Sequence, residues 1–368
     1  HLIFIVKIKN NMRVCILGAG LTGLTLAKAL VNKNIYVDVL FTKKVEKLNF
    51  TRTLGISKSN IEFFNSNIID INKIIWKLKN IEIFTENLKN EKLIKFKSNE
   101  EYLFSIIRNY ELYKLIINSL NTTKYFQKIY SVGKQTKKNY NLIINTDYKN
   151  SITKKFFYKK VIKKYDSTAY ITCIKHKKIE NNIACQIFTK KGPLAFLPIS
   201  NFETSIVYSV HNSNCKKKEN ISDLIEHYNF KYEIEKIEKI EKLELKSFLL
   251  RSYYHQNILA FGDLLHRVHP LAGQGFNMTI RDIIILIDII QNKISLGLSL
   301  DKSVNLEFEN KLRHKNLLFS NGIDLIHEIF NFERKTKSKI LSKSIQFLGK
   351  NPSLNKLFTE VADKGLVF

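Results

Sequence analysis

Residues 262–282 read Gly262-Asp263-Leu264-Leu265-His266-Arg267-Val268-His269-Pro270-Leu271-Ala272-Gly273-Gln274-Gly275-Phe276-Asn277-Met278-Thr279-Ile280-Arg281-Asp282. An apolar, strand-like run, Ile258 to Phe261, leads into Gly262-Asp263; the chain then turns through Pro270, Gly273 and Gly275. From there it enters a long apolar helix, roughly Asn277 to Ile290. A strand, a glycine-bearing loop and a helix start, with one carboxylate at the strand's end, is an α/β arrangement. Glycines in such a loop let the backbone approach a ligand with no Cβ in the way. The helix start offers unpaired N–H groups and the positive end of its dipole, which favour an anion or a polarised carbonyl. Asp263 can accept hydrogen bonds from ligand hydroxyls. The competing reading is an ordinary strand-to-helix turn, but packing alone does not account for so long a run of these residue types.

Nearer the start of the chain, Arg13 to Leu17 reads as a buried strand, followed by Gly18-Ala19-Gly20-Leu21-Thr22-Gly23 and a helix through about Val31. A second strand, Tyr36 to Phe41, completes a β-α-β unit. This is a G-x-G-x-x-G turn in the context that a dinucleotide requires: a tight turn at Gly18, close pyrophosphate approach at Gly20, and helix packing at Gly23. In that fingerprint an acidic residue ends the second strand and holds the adenosine ribose. By spacing the position falls on Phe41, with Thr42, Lys43 and Lys44 following, so the contact is missing or supplied elsewhere. Asp38, inside the strand, reads as a solvent-facing residue.

A chain of 368 residues with 44% hydrophobic content can bury a large core, and its length fits two intimately packed domains. The net charge of +27 invites partners that are nucleic acid or anionic membrane. The lysines, however, are spread along the whole chain, and no nucleic-acid module or single basic arm stands out. Attraction to an anionic membrane surface stays open. Cys15, Cys173, Cys185 and Cys215 form no C-x-x-C pair and suggest no disulfide framework, which fits a reducing cytoplasm. Leu2 to Val6 is too short for a signal or a membrane span. Whether residues 1–11, ahead of Met12, are an upstream extension is left open.

Gly262-Asp263, His266, His269-Pro270-Leu271-Ala272-Gly273-Gln274-Gly275 and Asn277 resemble the second flavin motif of the class A flavin monooxygenases, and within them most closely the ubiquinone-biosynthesis flavin hydroxylases. Leu264, Leu265 and Thr279 stand where that family has small residues. The resemblance implies an FAD cofactor, with Asp263 on its ribityl chain. It also implies that Pro270, Gly273, Gln274, Gly275 and Asn277 face the flavin pyrimidine edge, where a helix dipole would stabilise the anionic reduced ring. Arg52 to Ser57 resembles the family's arginine-bearing stretch beside the isoalloxazine ring; a surface role for Arg52 competes. Arg108-Asn109-Tyr110-Glu111-Leu112 resembles its Arg-x-x-x-Leu segment, in which the arginine approaches FAD phosphate or ribityl oxygens. A planar guanidinium suits such oxygens, although a helix cap or surface charge remains the alternative. Asp147 and Ser151 match an Asp-Gly-x-x-Ser motif said to touch FAD and the nicotinamide cofactor. Here Tyr148 stands at the glycine and Lys154 at an arginine, which counts against ordinary NAD(P)H use.

From about Tyr165 the pattern alternates. Tyr165 to Ile171, Ala184 to Phe188 and Ser205 to Val210 read as strands of an antiparallel sheet with one buried face. Gln186-x-Phe188 and Gly192 to Pro198 resemble the same hydroxylases, and such a sheet would roof the flavin and line an apolar pocket for an aromatic substrate. Phe188, Phe196 and Leu197 read equally as core. Ile81 to Lys97 looks like short strands of this sheet, Lys216 to Lys246 like a charged helical excursion, and everything after Leu300 like helices. Ile340 to Phe347, with flanking lysines, could lie on a membrane or a partner, with packing on its own core as the default.

The expected fold is therefore α/β: a Rossmann-like FAD-binding domain (12–80, 101–155, 248–300), an inserted antiparallel-sheet substrate domain (81–100, 156–247) and a helical C-terminal region (301–368). His266 and His269 lack a third ligand, so no metal site is expected, and no protein nucleophile is needed. The resemblance implies hydroxylation of a polyprenylated phenol or quinone precursor in ubiquinone biosynthesis, by O2 through a flavin hydroperoxide, with NAD(P)H or another donor supplying electrons. It leaves room for peripheral contact with the inner membrane and for assembly with other enzymes of the pathway. Two alternatives are a flavin-poor structural partner in such an assembly and an FAD-dependent reductase.

Overall fold

The computed structural model of the chain describes residues 12–42, 51–86, 92–97, 102–131, 140–212, 220–268 and 274–336, with Lys343 and Gln346. In order these form β1 (Arg13–Leu17), α1 (Leu21–Val31), β2 (Tyr36–Leu40), β3 (Thr53–Ser57), α2 (Lys58–Asn67), β4 (Ile75–Leu78), β5 (Asn80–Thr85), β6 (Lys92–Lys97) and β7 (Phe104–Arg108). Next come α3 (Asn109–Asn121), β8 (Phe126–Ile129), β9 (Leu142–Asn145), α4 (Ser151–Phe156), β10 (Lys160–His176), β11 (Ile183–Thr189), β12 (Gly192–Pro198) and β13 (Glu203–His211). The chain continues with α5 (Ile221–Tyr228), β14 (Ile234–Ile237), β15 (Glu241–Leu250), β16 (Tyr254–His255) and β17 (Ile258–Ala260). After a 3-10 turn at Gly262–Leu264 it ends in β18 (His266–Arg267), α6 (Gln274–Ser295) and α7 (Lys302–Thr336).

Apolar runs without alternation form the first sheet, in the order β16-β17-β9-β1-β2-β8, parallel except for β16. Strands such as Val14-Cys15-Ile16-Leu17 are buried on both faces because helices cover both. α1, α3, α6 and the start of α7 share one core with this sheet, including Leu24, Leu30, Leu112, Ile283 and Phe308. Asp38 corrects the expectation of a solvent-facing residue: it is 4% exposed, accepts a hydrogen bond from Tyr140 Oη at 2.7 Å and lies 3.7 Å from Arg13 Nε. A carboxylate on a doubly covered strand needs such partners to offset its desolvation.

Alternating runs form a nine-stranded sheet, ordered β18-β15-β10-β13-β12-β11-β5-β6 with β14 paired to β10. The expected strands are present and longer, and β5 and β6 join as anticipated, although β5 runs parallel to β11 in a sheet expected to be antiparallel. Lys216 to Lys246 was expected to be helical, and for most of its described length it is not. Only α5 is helical; β14 and β15 are strands on β10. Glu–Lys spacing suits a helix surface, but Leu243 and Leu245 alternate with Lys242 and Glu244, and pairing to β10 settles the period at two. A small sheet, β3-β7-β4, has strands interleaved in sequence with those of the two larger ones. Residues 302–336 are helical as expected, while 340–342, 344–345 and 347 of the Ile340 to Phe347 segment lie outside the described residues.

Candidate functional site

Three loops meet at the carboxyl edge of the parallel sheet: the one after β1, the one after β9 and the one after β17, where open α/β sheets bind ligands. Gly18 takes φ of 116°, and a Cβ there would stand 2.6 Å from Thr146 Oγ1. Gly23 lies so close to the turn that a Cβ would be 2.1 Å from the Gly18 carbonyl oxygen. Gly20 caps α1, and a Cβ on it would meet nothing within 4 Å. The helix start has no side-chain cap and no acidic residue in its first turn. Open space beside bare N–H groups fits the pyrophosphate of a dinucleotide.

Gly262 carries the decisive contact. Its φ is 63°, and a Cβ there would lie 2.3 Å from Thr22 Cγ2. The loop after β17 therefore rests directly on the start of α1, so these two loops, far apart in sequence, are neighbours in space. Asp263 stands exposed beside this contact. Leu264 and Leu265, in place of small residues, are fully buried in the core and occupy none of the open edge. Thr279 is buried too.

Of the loop's remaining residues, His269 to Gly273, and so Pro270 and Gly273, lie outside the described residues. Gln274 opens α6, and a Cβ on Gly275 would meet nothing within 4 Å. Asn277 is fully buried: its Oδ1 accepts from Ser57 N at 3.0 Å and Asn60 Nδ2 at 2.8 Å, and its Nδ2 donates to Gly55 O at 3.0 Å. It thus ties the stretch that follows Arg52 to α6.

Arg52 is half-buried just ahead of β3, and its carbonyl accepts from Asn109 N at 3.0 Å. Arg108 is the β7 partner of Thr53, so the two arginines are neighbours. The Arg108 guanidinium bonds Glu203 of β13 and comes within 3.6 Å of Glu111. After β9, Asp147 Oδ1 accepts from Lys149 N at 2.8 Å, and Asn150 caps α4. Tyr148 is exposed and not in the left-handed region, so this loop dispenses with the backbone angle that a glycine would allow. At the end of β2, Phe41 packs against the core with Lys128 Nζ 5.5 Å from its ring centroid.

A residue that sequence reasoning left without a role is Asp282. It is 1% exposed on α6 and its Oδ2 lies 2.5 Å from Nε2 of the buried His266. Burial alone would lower the histidine, but the Asp282 carboxylate, with Asp263 nearby, more than offsets it, and the His266 pKa is raised. A lone carboxylate on the apolar side of a long helix was the available signal. Among the described residues no cluster of three metal-ligating side chains occurs.

The nine-stranded sheet turns two different faces outward. Phe196, expected as pocket or core, is core, packed with Ile174, Leu194, Ile206 and Tyr208 beneath Ile221 and Ile225 of α5. Leu197 faces the other way, with Leu78, Ile106 and Ala184. Phe188 also lies on that other face, against Val268, Phe319 and Ile323. Ser205, on the same face, accepts a 2.8 Å hydrogen bond from Thr53 Oγ1.

Comparison with known proteins places this geometry. Residues 181–295 match the model of the FAD binding domain. The ubiquinone biosynthesis monooxygenase COQ6 of Drosophila melanogaster is 23% identical over 95% of this chain and 89% of its own length. The 3-demethoxyubiquinol 3-hydroxylase of Escherichia coli is 26% identical over 40% of this chain and 39% of its own. Among solved structures, p-nitrophenol 4-monooxygenase PnpA of Pseudomonas putida superposes with a TM-score of 0.76 at 12% identity, covering 95% of this chain and 97% of its own. PqsL, a probable FAD-dependent monooxygenase from Pseudomonas aeruginosa, gives 0.70 at 13% identity over 91% of this chain and 99% of its own. The likeness to these structures shows a shared fold.

Proposed function

We propose, from the premise that this chain is an FAD-dependent hydroxylase of the ubiquinone-biosynthesis family, that it hydroxylates the ring of a polyprenylated phenol or quinone precursor with electrons from NAD(P)H. The observation that carries the reading is Gly262 against Thr22, which seats the loop after β17 on the start of α1. In this reading Gly20 and the α1 start hold the pyrophosphate, Asp263 accepts from ribityl hydroxyls, and the α6 start presents its N–H groups to the far end of the cofactor. FAD, when bound, supplies the redox chemistry that activates O2. The protein's own part is to orient two rings and exclude water between them. Phe41 and Lys128 offer the adenosine end an apolar and cationic surface where other dinucleotide sites place a carboxylate.

The purified protein should show a flavin absorption spectrum that bleaches with NADPH and yield a singly hydroxylated ring from a prenylphenol. Asp263→Ala should lose FAD by at least tenfold in affinity; a fully flavinated variant would refute the assigned role.

A polyprenylated substrate also calls for contact with a membrane. Leu318, Leu325 and Phe332 are exposed and seven residues apart on α7, hence on one side of the helix. Lys163 Nζ, 3.1 Å from Glu328 Oε1, brings the exposed Val161 and Ile162 alongside. With a net charge of +27, this side suits a peripheral seat on anionic lipid; among the described residues no helix is long and apolar enough to cross a membrane. Flotation with vesicles containing anionic lipid, and not with neutral ones, is the expected outcome. Equal recovery with both would end the proposal.

A further inference from the structure

We infer that Gln186 holds the ring oxygen of the aromatic substrate and thereby fixes which ring carbon is presented for hydroxylation; the inference rests on the hydroxylase reading above. Gln186 lies in a row that crosses five strands. It is paired with Ile83 on β5 and Ala195 on β12; Ala195 is paired with Val207 on β13, and Val207 with Ile171 on β10. Residues directly opposite one another project from the same face of a sheet. This is the face away from α5, and all five residues are half-buried, neither sealed nor freely exposed.

The rows on either side show what this face looks toward. One row along, Phe188 packs on Val268, at the end of the described Asp263 loop, and on Phe319 and Ile323 of α7. In the other direction, Ser205 is bonded to Thr53, the residue after Arg52. Gln186 therefore fronts the space between the loop that carries Asp263 and the strand that follows Arg52, where the flavin ring is expected and where a substrate ring must lie to be oxidised.

Within the row the side chain is chemically alone. Ile83, Ala195, Val207 and Ile171 are apolar, and the Gln186 amide has no hydrogen-bond partner among the described residues. Several other amides among the described residues are well engaged. Asn277 makes three bonds, Asn181 bonds Ser200 O, Thr204, Tyr232 and Lys231, and Asn145 bonds Thr153. A half-buried amide amid apolar neighbours is unfavourable unless something satisfies it. The fitting occupant is a flat apolar ring bearing an oxygen. Nε2 donates to a quinone carbonyl or a phenolate, or Oε1 accepts from a phenol O–H. Ala195 leaves room for the ring's face, and the aliphatic neighbours supply its apolar contacts.

The test uses the flavin-loaded enzyme, the isosteric Gln186→Leu variant and Gln186→Asn, which keeps the amide but withdraws it by one methylene. The probes are 2-geranylphenol and geranylbenzene, which differ by the ring oxygen alone. Binding is read from perturbation of the flavin absorption band. Wild type should prefer the phenol by about fivefold or more, Gln186→Leu should lose that preference, and Gln186→Asn should fall between, all with unchanged FAD content. Where turnover is seen, Gln186→Leu should give a mixture of ring positions where wild type gives one. A preference retained by Gln186→Leu, or absent from wild type, overturns the inference. A wild-type preference without any hydroxylated product would sink the hydroxylase reading and leave the role of Gln186 standing.

Discussion

On one face of the nine-stranded sheet, Leu194, Phe196, Ile206 and Tyr208 are sealed beneath α5, and the polar groups among them are paired: His176 with Thr204, Tyr232 with Asn181. On the other face, the adjoining residues Ala195, Val207 and Gln186 stay half-open, and the amide has no hydrogen-bond partner among the described residues. The same strands build both, one residue apart in register. Closure on the first side supplies stability, which lets the second remain less completely packed. Unfinished surface is tolerable only where its opposite side is fully packed.

The largest expected effect breaks the closed side. Phe196→Ala should cost about 3–5 kcal/mol in a denaturant titration; a loss below about 1 kcal/mol would show that α5 does not seal this face. A smaller effect comes from the sheet's edge, where His266 on β18 meets Asp282 on α6. The folded histidine has a raised pKa: burial opposes the charge, but the carboxylates of Asp282 and Asp263 prevail. Its contribution to stability is therefore fully present below the ordinary value of 6.5 and is lost as pH rises through the higher folded-state value. Stability of the wild type should fall over that interval, and His266→Gln should flatten the profile; an unchanged profile would remove the charged pair from the account. The smallest structural effect is expected on the open side. Ala195→Phe should shift unfolding by no more than about 1 kcal/mol yet reduce turnover at least tenfold, because the ring occupies the substrate's place. A parallel collapse of stability would mean that Ala195 belongs to a closed core.

Local patterns announced most of this architecture. The β1 turn into α1 was legible because Gly18, Gly20 and Gly23 each answer a need within a few residues. The period-two runs of β10, β11 and β13 likewise follow from which face is buried. What escaped were facts set by distant chain. Asp38 is buried because Tyr140, 102 residues on, bonds it. β14 and β15 are strands because β10 pairs with them, against the helical spacing of their charges. Arg108, matched by resemblance to a cofactor role, meets Glu203 from another sheet. Tyr148 counted against the nicotinamide reading on the strength of a backbone angle that the folded loop does not require.

The position of Asn277 has a bearing on biosynthesis. Ser57 N finds its acceptor only 220 residues later in the chain, at Asn277 Oδ1. The first glycine turn is likewise completed only when Gly262 reaches Thr22. A nascent polypeptide emerging from the ribosome thus carries the first glycine turn without its later neighbours until residues 262–277 have been made, and any ligand that needs both loops is captured only after that point.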